Sequence, residues 1–280
     1  IMNSSSGQIF CEILGGEKRI IICGGGHVSI PIISIGKMLG FHIIVLEDRP
    51  MFADNARVAG AHEVLCESFD SGLDKIVGDK DTYFVIVTRG HRYDQTCLTK
   101  IIEKEHAYIG MIGSKLRIKT VKELLKEEGI SMQKLDEVYA PIGLNIKAET
   151  PEEIAVAIIG EIIQVKNQIK RSNGYEKVLL SQIALNSESV MPSVLATIIS
   201  RKGSAPREVG TKMLICQDGK TVGTIGGGCV EAELFQKAIH MTKEQETSSK
   251  VFSIDMTGRD VEDEGMVCGG IIEVILERVS

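Results

Sequence analysis

Two short stretches set a cysteine among glycines: Gly226-Gly227-Gly228-Cys229-Val230-Glu231 and Cys268-Gly269-Gly270. Glycines beside a cysteine remove neighbouring side chains, exposing the sulfur and the backbone N–H groups to anything that approaches. Cys229 also stands at the start of an expected helix, where the dipole stabilises a thiolate and can hold an anion. A thiolate beside a phosphate-sized nest suits a pterin phosphate or a sulfur-bearing metal centre. The alternative is a buried cysteine at a tight turn, since free cysteine is among the most buried residue types. Lys202-Gly203-Ser204-Ala205-Pro206-Arg207 adds a glycine-serine turn with an arginine suited to bidentate anion contact, although a plain loop explains it as well.

A second kind of chemistry is written at Cys23-Gly24-Gly25-Gly26-His27-Val28-Ser29, between an expected strand and an expected helix. Glycines there let the backbone turn tightly and approach a phosphate, whose charge is met by the helix N-terminus. Gly24 and Gly26 match the first two positions of a dinucleotide fingerprint; Ser29 stands at the third, a departure expected to loosen helix–sheet packing. Glu47 and Asp48 occupy the place of a ribose-binding acid, which favours NAD over NADP, with Arg49 beside them. The same glycines also serve a doubly wound fold that uses no nucleotide. His91, after the fourth strand, and Gly110-Met111-Ile112-Gly113-Ser114-Lys115, after the fifth, lie at the edge where such folds bind ligands.

The elements that position these residues follow from periodicity. Strands are expected at Arg19–Cys23, His42–Leu46, 63–66, 83–88 and Tyr108–Met111, alternating with helix-compatible stretches, the pattern of a parallel sheet covered on both faces. A helix spans 28–39, with Pro31 tolerated in its first turn. Ser114 caps another, with Ile118, Val121, Leu124 and Leu125 on one face. Thr150-Pro151-Glu152-Glu153 combines a hydroxyl cap, a proline and a capping-box glutamate ahead of Ile154, Ile158, Ile162 and Val165. After the polar segment 166–174 the pattern turns β-rich: strands at 194–200, 211–216 and 221–225, an Asp218-Gly219 hairpin signal, a helix at 231–241, and strands at 251–255 and 271–277. The fold expected is α/β, a Rossmann-like parallel-sheet domain (1–173) followed by a smaller α+β domain (174–280).

Bulk properties exclude several classes. The 280 residues are 43% hydrophobic and 25% charged, the make-up of a globular protein. No apolar run approaches the roughly 20 residues of a membrane span, and no signal-peptide core is present, so a cytoplasmic protein is expected. Seven cysteines, an odd count without CxxC spacing, fit reduced thiols better than disulfides or a zinc ribbon. A net charge of −6 with no basic cluster and only 4% aromatic residues argues against nucleic-acid binding. The acidic run 260–264 reads as a solvated loop.

Taken together, Gly24-Gly25-Gly26-His27-Val28, Glu47-Asp48-Arg49-Pro50, 108–115, Pro141-Ile142-Gly143-Leu144 and Thr150 to Ala155 resemble successive landmarks of the Rossmann-like domain of XdhC/CoxI accessory proteins. Gly203-Ser204-Ala205-Pro206-Arg207, Gly226 to Glu231 and Cys268-Gly269-Gly270 resemble those of the family's other domain. The resemblance implies a protein that binds molybdenum cofactor, assists replacement of an oxo ligand by sulfur with a cysteine desulfurase, and delivers the product to xanthine dehydrogenase or a related molybdenum hydroxylase. By that analogy Cys229 and Cys268 contact the metal centre. Ser204, Arg207, Gly227, Gly228, Glu231 and Gly269 join them around the cofactor, and Gly24, Gly26, His27, Glu47 and Asp48 hold a nucleotide or a second portion of the ligand. A homodimer is compatible with it. Two departures stand out: the Rossmann-like domain comes first, and Thr88-Arg89-Gly90-His91 replaces a Thr-His-Asp that family members often carry.

Two other functions compete. An NAD(P)-dependent oxidoreductase accounts for the βαβ fingerprint, but no persuasive proton-transfer pair accompanies it. A structural or electron-transfer subunit of a hydroxylase lacks an iron–sulfur ligand set.

Overall fold

The structure, a computed structural model, describes residues 2–4, 7–12, 16–168, 175, 177–243, 249–256 and 270–279. The chain divides into two compact units, a parallel unit of residues 16–170 and an antiparallel unit of residues 1–15 with 171–280. Among the described residues no helix is long and apolar enough to cross a membrane.

The strands β1 (Met2–Ser4) and β2 (Gly7–Ile9) form an antiparallel pair. Further on, Glu12 accepts a 2.5 Å hydrogen bond from Lys212, whose side chain is only 3% exposed, and this ion pair ties the arm to the antiparallel unit.

The parallel unit runs β3 (Arg19–Cys23), α1 (Ser29–Met38), β4 (His42–Leu46), α2 (Pro50–Val58), β5 (Glu63–Leu65), α3 (Phe69–Lys75), β6 (Thr82–Ile86), α4 (His91–Ile101), β7 (Tyr108–Met111), α5 (Lys115–Glu127), α6 (Met132–Asp136) and α7 (Pro151–Gln168). Its five strands pair in the order β5-β4-β3-β6-β7, all parallel. Side chains alternate across such a sheet, so Ile21 and Cys23 join the core beneath α3, α4 and α5, while Ile20 and Ile22 join the one beneath α1 and α7. Both faces are covered, which is why β3 reads as an unbroken apolar run. The expected capping box is formed: Glu153 N–H donates to Thr150 Oγ1 at 3.2 Å, and Thr150 N–H donates back to Glu153 Oε2 at 3.2 Å.

The strand expected at 83–88 ends at Ile86, because Thr88 turns its hydroxyl to Asp94 Oδ1 at 2.5 Å and leaves the ladder. Of the four apolar positions assigned to one face of α5, Leu124 is 39% exposed while Ile118, Val121 and Leu125 are buried.

The antiparallel unit continues with α8 (Lys177–Ser189), β8 (Ser193–Gly203), β9 (Lys212–Cys216), β10 (Thr221–Gly223), α9 (Gly228–Lys243), β11 (Lys250–Asp255) and β12 (Gly270–Arg278). Five strands pair antiparallel in the order β10-β9-β8-β12-β11. Val230, Leu234, Ala238 and Met241 of α9 pack on one face against Val194, Ala196 and Ile198. Leu179 of α8 packs on the other against Leu195, Leu214 and Cys216. The β9–β10 hairpin turns at Asp218-Gly219, where Gly219 has φ 89° and Asp218 accepts from Lys220 N–H at 2.9 Å. The architecture is a Rossmann-like α/β unit followed by a smaller α+β unit.

Candidate functional site

In the parallel unit the strand order reverses at β3 and β6, the switch point at which open α/β sheets bind ligands. The glycine turn between β3 and α1 lies there. Its three glycines have different reasons to be glycine. Gly24 has φ 113°, and a Cβ on it would meet Val87 O at 2.6 Å; on Gly25 a Cβ would meet Phe52 O at 2.8 Å. Gly26 lies outside the left-handed region, and a Cβ there would meet nothing within 4 Å. Neither backbone conformation nor protein packing therefore requires a glycine at position 26. Ser29 does not loosen the packing as its position suggests: it is fully buried and donates its hydroxyl to Gly24 O at 2.5 Å, locking the helix start onto the turn. His27 is exposed.

The two acids expected to read a ribose have partners within the protein. Glu47, 1% exposed, accepts from Gly25 N–H at 2.7 Å, Arg49 N–H at 3.1 Å, Arg49 Nε at 2.8 Å and Arg49 Nη2 at 3.0 Å. Its carboxylate therefore sets the shape of the glycine turn. Asp48 accepts a fork from Arg89, at 2.6 and 2.9 Å, which with the attraction of Arg49 holds its carboxyl below the usual range despite partial desolvation. Arg89 lies over the Tyr93 ring, 4.2 Å from its centroid, and Arg49 over Phe52 at 3.7 Å. The bonds to Asp48 push the Arg89 guanidinium up, so it stays charged at every accessible pH.

Sequence reasoning missed Arg89, Asp94 and Arg117. Asp94 is fully buried and accepts from Thr88 Oγ1 and from Arg117 Nη2. Their only signal was position, directly past the carboxyl ends of β6 and β7. His91 opens α4, but its side chain lies outside the described residues.

In the antiparallel unit the 203–207 loop meets both the glycine turn at 226–228 and Gly270. A Cβ on Gly226 would come within 2.4 Å of Pro206 Cγ, and one on Gly270 within 2.3 Å of Ser204 O and 2.8 Å of Lys202 O. Gly270 also pairs with Gly203 in the β12–β8 ladder. The 203–207 loop thus touches the 226–228 turn and the start of β12, with Ser204 and Arg207 exposed on it. Gly226, Gly227 and Gly228 have φ of 135°, 78° and 60°, a run that side chains resist. The helix expected from Glu231 already begins at Gly228, which puts Cys229 inside its first turn. The Cys229 side chain, Cys268 and Gly269 lie outside the described residues. Among the described residues no group of three or more His, Cys, Asp or Glu side chains is placed to hold a metal ion.

Glu231 holds the turn from below. It accepts from Thr224 Oγ1, from Ile225 N–H at 3.0 Å and from Gly227 N–H at 2.9 Å. Desolvation raises its pKa, but these hydrogen bonds outweigh it, and the carboxyl sits below the ordinary value of 4.5. A depressed carboxylate contributes stability that is fully present above the ordinary value and lost as pH falls through the folded one. The urea midpoint of the antiparallel unit should therefore exceed that of Glu231→Gln at neutral pH, and the gap should close as pH falls below 4.5. A gap independent of pH would mean that the charge on Glu231 contributes nothing.

Comparison with known proteins bears on both units. A family model described as the XdhC Rossmann domain matches residues 20–162, and one described as the XdhC and CoxI family matches residues 188–255. Among curated proteins, the uncharacterized protein YqeB of Escherichia coli K12 is 30% identical over 57% of this chain and 29% of its own length. A probable xanthine dehydrogenase subunit from Bacillus subtilis 168 is 28% identical over 58% of this chain and 47% of its own. The molybdenum cofactor insertion chaperone PaoD of Escherichia coli K12 is 39% identical over 49 residues, 18% of this chain and 15% of its own. Among solved structures, a xanthine dehydrogenase from Bacillus halodurans aligns with TM-score 0.50 and 30% identity over 56% of this chain and 45% of that one. The chain thus spans less than half the length of each of these relatives.

Proposed function

The chain belongs to the XdhC and CoxI family, and from that premise we propose that it is an accessory factor of a xanthine-dehydrogenase-like molybdenum hydroxylase. It takes molybdenum cofactor as cargo, assists its sulfuration together with a cysteine desulfurase, and passes it to the client enzyme. The names of the Bacillus subtilis and PaoD relatives support this reading, the second over a short stretch. The observation that carries it is the meeting of the 203–207 loop, the glycine turn before Cys229 and the strand that follows Cys268. Gly226 and Gly270 let the 203–207 loop pack closely on both of its neighbours, and the N–H groups of the first turn of α9 favour the cargo's phosphate. The cargo brings a molybdenum centre whose terminal oxo ligand is exchanged for sulfur. In this reading Cys229 and Cys268 approach that centre as soft ligands, Arg207 and Ser204 bind the pterin phosphate, and Glu231 keeps the turn in shape.

In the same proposal the parallel unit holds a nucleotide such as NAD(P) at Gly24 to Ser29. Gly26 gives a test, because a Cβ there meets no protein atom within 4 Å. Gly26→Val should fold as the parent does, by circular dichroism and urea midpoint, while ADP binding falls at least tenfold, about 1.4 kcal/mol. Unchanged ADP affinity in that variant would leave Gly26 with no role in binding.

The accessory reading is separated from an NAD(P)-dependent oxidoreductase by titrating the reduced protein with molybdenum cofactor and with NAD(P)H. Tighter binding of the pterin supports it. Saturable NAD(P)H binding with substrate-dependent turnover, and no pterin binding, would overturn it.

A further inference from the structure

The glycine turn is bridged from side to side, and we infer that Asp48 competes with a ligand's phosphate for Arg89 rather than reading the ligand's ribose. The inference rests on the reading that this turn takes a nucleotide. β3 lies between β4 and β6 in the sheet, so the loops that follow those two strands flank the turn. On one side Phe52 O and Glu47 Cγ stand 2.8 and 3.3 Å from the Cβ position of Gly25; on the other, Val87 O and Thr88 Cα stand 2.6 and 3.2 Å from that of Gly24. Asp48 belongs to the first loop and Arg89 to the second, 41 residues on. Their two parallel hydrogen bonds, 2.6 and 2.9 Å, therefore join the two sides of the switch point, where a pyrophosphate crosses the end of the first strand in folds of this order.

The bridge is built to open. Arg89 is 35% and Asp48 24% exposed, so both reach water. Arg89 keeps its place without Asp48, because its Nη2 also donates to Tyr93 Oη at 2.6 Å and its guanidinium lies over the Tyr93 ring. A guanidinium fork fits phosphate as well as it fits carboxylate, and the phosphate carries the larger charge. An arriving phosphate takes the fork, and Asp48 turns to solvent. Glu47 cannot yield in this way, being buried and bound to Gly25 and Arg49 through both oxygens. The ligand class is a phosphorylated nucleotide with two phosphate oxygens free for a bidentate contact, in preference to a nucleoside recognised through its ribose hydroxyls.

Calorimetric titration of the full chain with ADP and with adenosine tests this in the parent, Asp48→Asn and Arg89→Gln, with Asp48→Ala as a second release variant and circular dichroism to check the fold. ADP should bind several-fold more tightly to both Asp48 variants and several-fold more weakly to Arg89→Gln, and adenosine should respond to neither. If Asp48 reads the ribose, the Asp48 variants weaken ADP and adenosine alike, which overturns the inference. Measurable ADP binding that is the same in the parent and the Asp48 variants overturns the competition but leaves the nucleotide reading intact. No ADP binding by the parent or by any Asp48 variant overturns both.

Discussion

Glu47→Ala is expected to lower the stability of the parallel unit by about 3 kcal/mol, the low end of the cost of removing one partner from a buried ion pair. The low end applies because Arg49 is 33% exposed and can turn part of its guanidinium to water once the carboxylate is gone. Gly25 N–H has no such escape. Gly25 is buried against Phe52 O, and an orphaned N–H in that position costs about 1–3 kcal/mol by itself. Glu47→Gln should fall between the two, since an amide oxygen still accepts but no longer carries the charge that strengthens the Arg49 bonds. Urea midpoints of the three proteins check the order. A Glu47→Ala protein as stable as the parent that fails to bind ADP would return Glu47 to the role of a ribose acid, the role its sequence position suggests.

The second large effect concerns the cysteines. Cys229→Ser and Cys268→Ser should each leave the fold intact and weaken retention of molybdenum cofactor at least tenfold, about 1.4 kcal/mol, because serine is a harder and less polarisable ligand than thiolate. Cys229 lies in the first turn of α9 and should be the first cysteine alkylated, with bound cofactor protecting it. Competing thiols are few: of the five other cysteines, Cys23, Cys97 and Cys216 are buried, while Cys11 and Cys66 are exposed and serve as internal reference for the alkylation rate. Burial and the nearby Cys23 push the Cys97 thiol well up, which makes it a poor nucleophile. If both serine variants hold the cofactor as tightly as the parent, these cysteines are packing residues and the shared-site proposal fails.

The parallel sheet was legible because its strands are buried on both faces and flanked by turn chemistry, so Arg19–Cys23, His42–Leu46 and Tyr108–Met111 match their expected limits. The capping box at Thr150 was legible for the same local reason. What escaped was whatever depends on distant partners. α8 gave no clean stripe: Val178, Leu180 and Leu185 are 66%, 50% and 57% exposed while Leu179 between them is buried, so its apolar residues fall on several faces. The Lys212–Glu12 pair joins residues 200 apart, and no local pattern encodes it. The acids after β4 show the limit most clearly. Their position marks a ribose site, but Arg49 two residues on and Arg89 from another loop decide what the carboxylates contact. Ser29 shows the same limit, since a hydroxyl that finds Gly24 O packs as closely as the glycine expected at that position. In the antiparallel unit the glycines around Cys229 and Cys268 are visible in the sequence, but the contacts of Gly226 with Pro206 and of Gly270 with Ser204 require the sheet that brings β8 beside β12.

The proposed function requires this chain to carry a molybdenum pterin. Anaerobic purification from a cell that makes the cofactor, followed by mass spectrometry of the released small molecule and metal analysis of the protein, tests it most directly. A pterin together with molybdenum is expected, both lost from the Cys229→Ser and Cys268→Ser proteins. Recovery of NAD(P) alone, with neither pterin nor molybdenum above background, would contradict it.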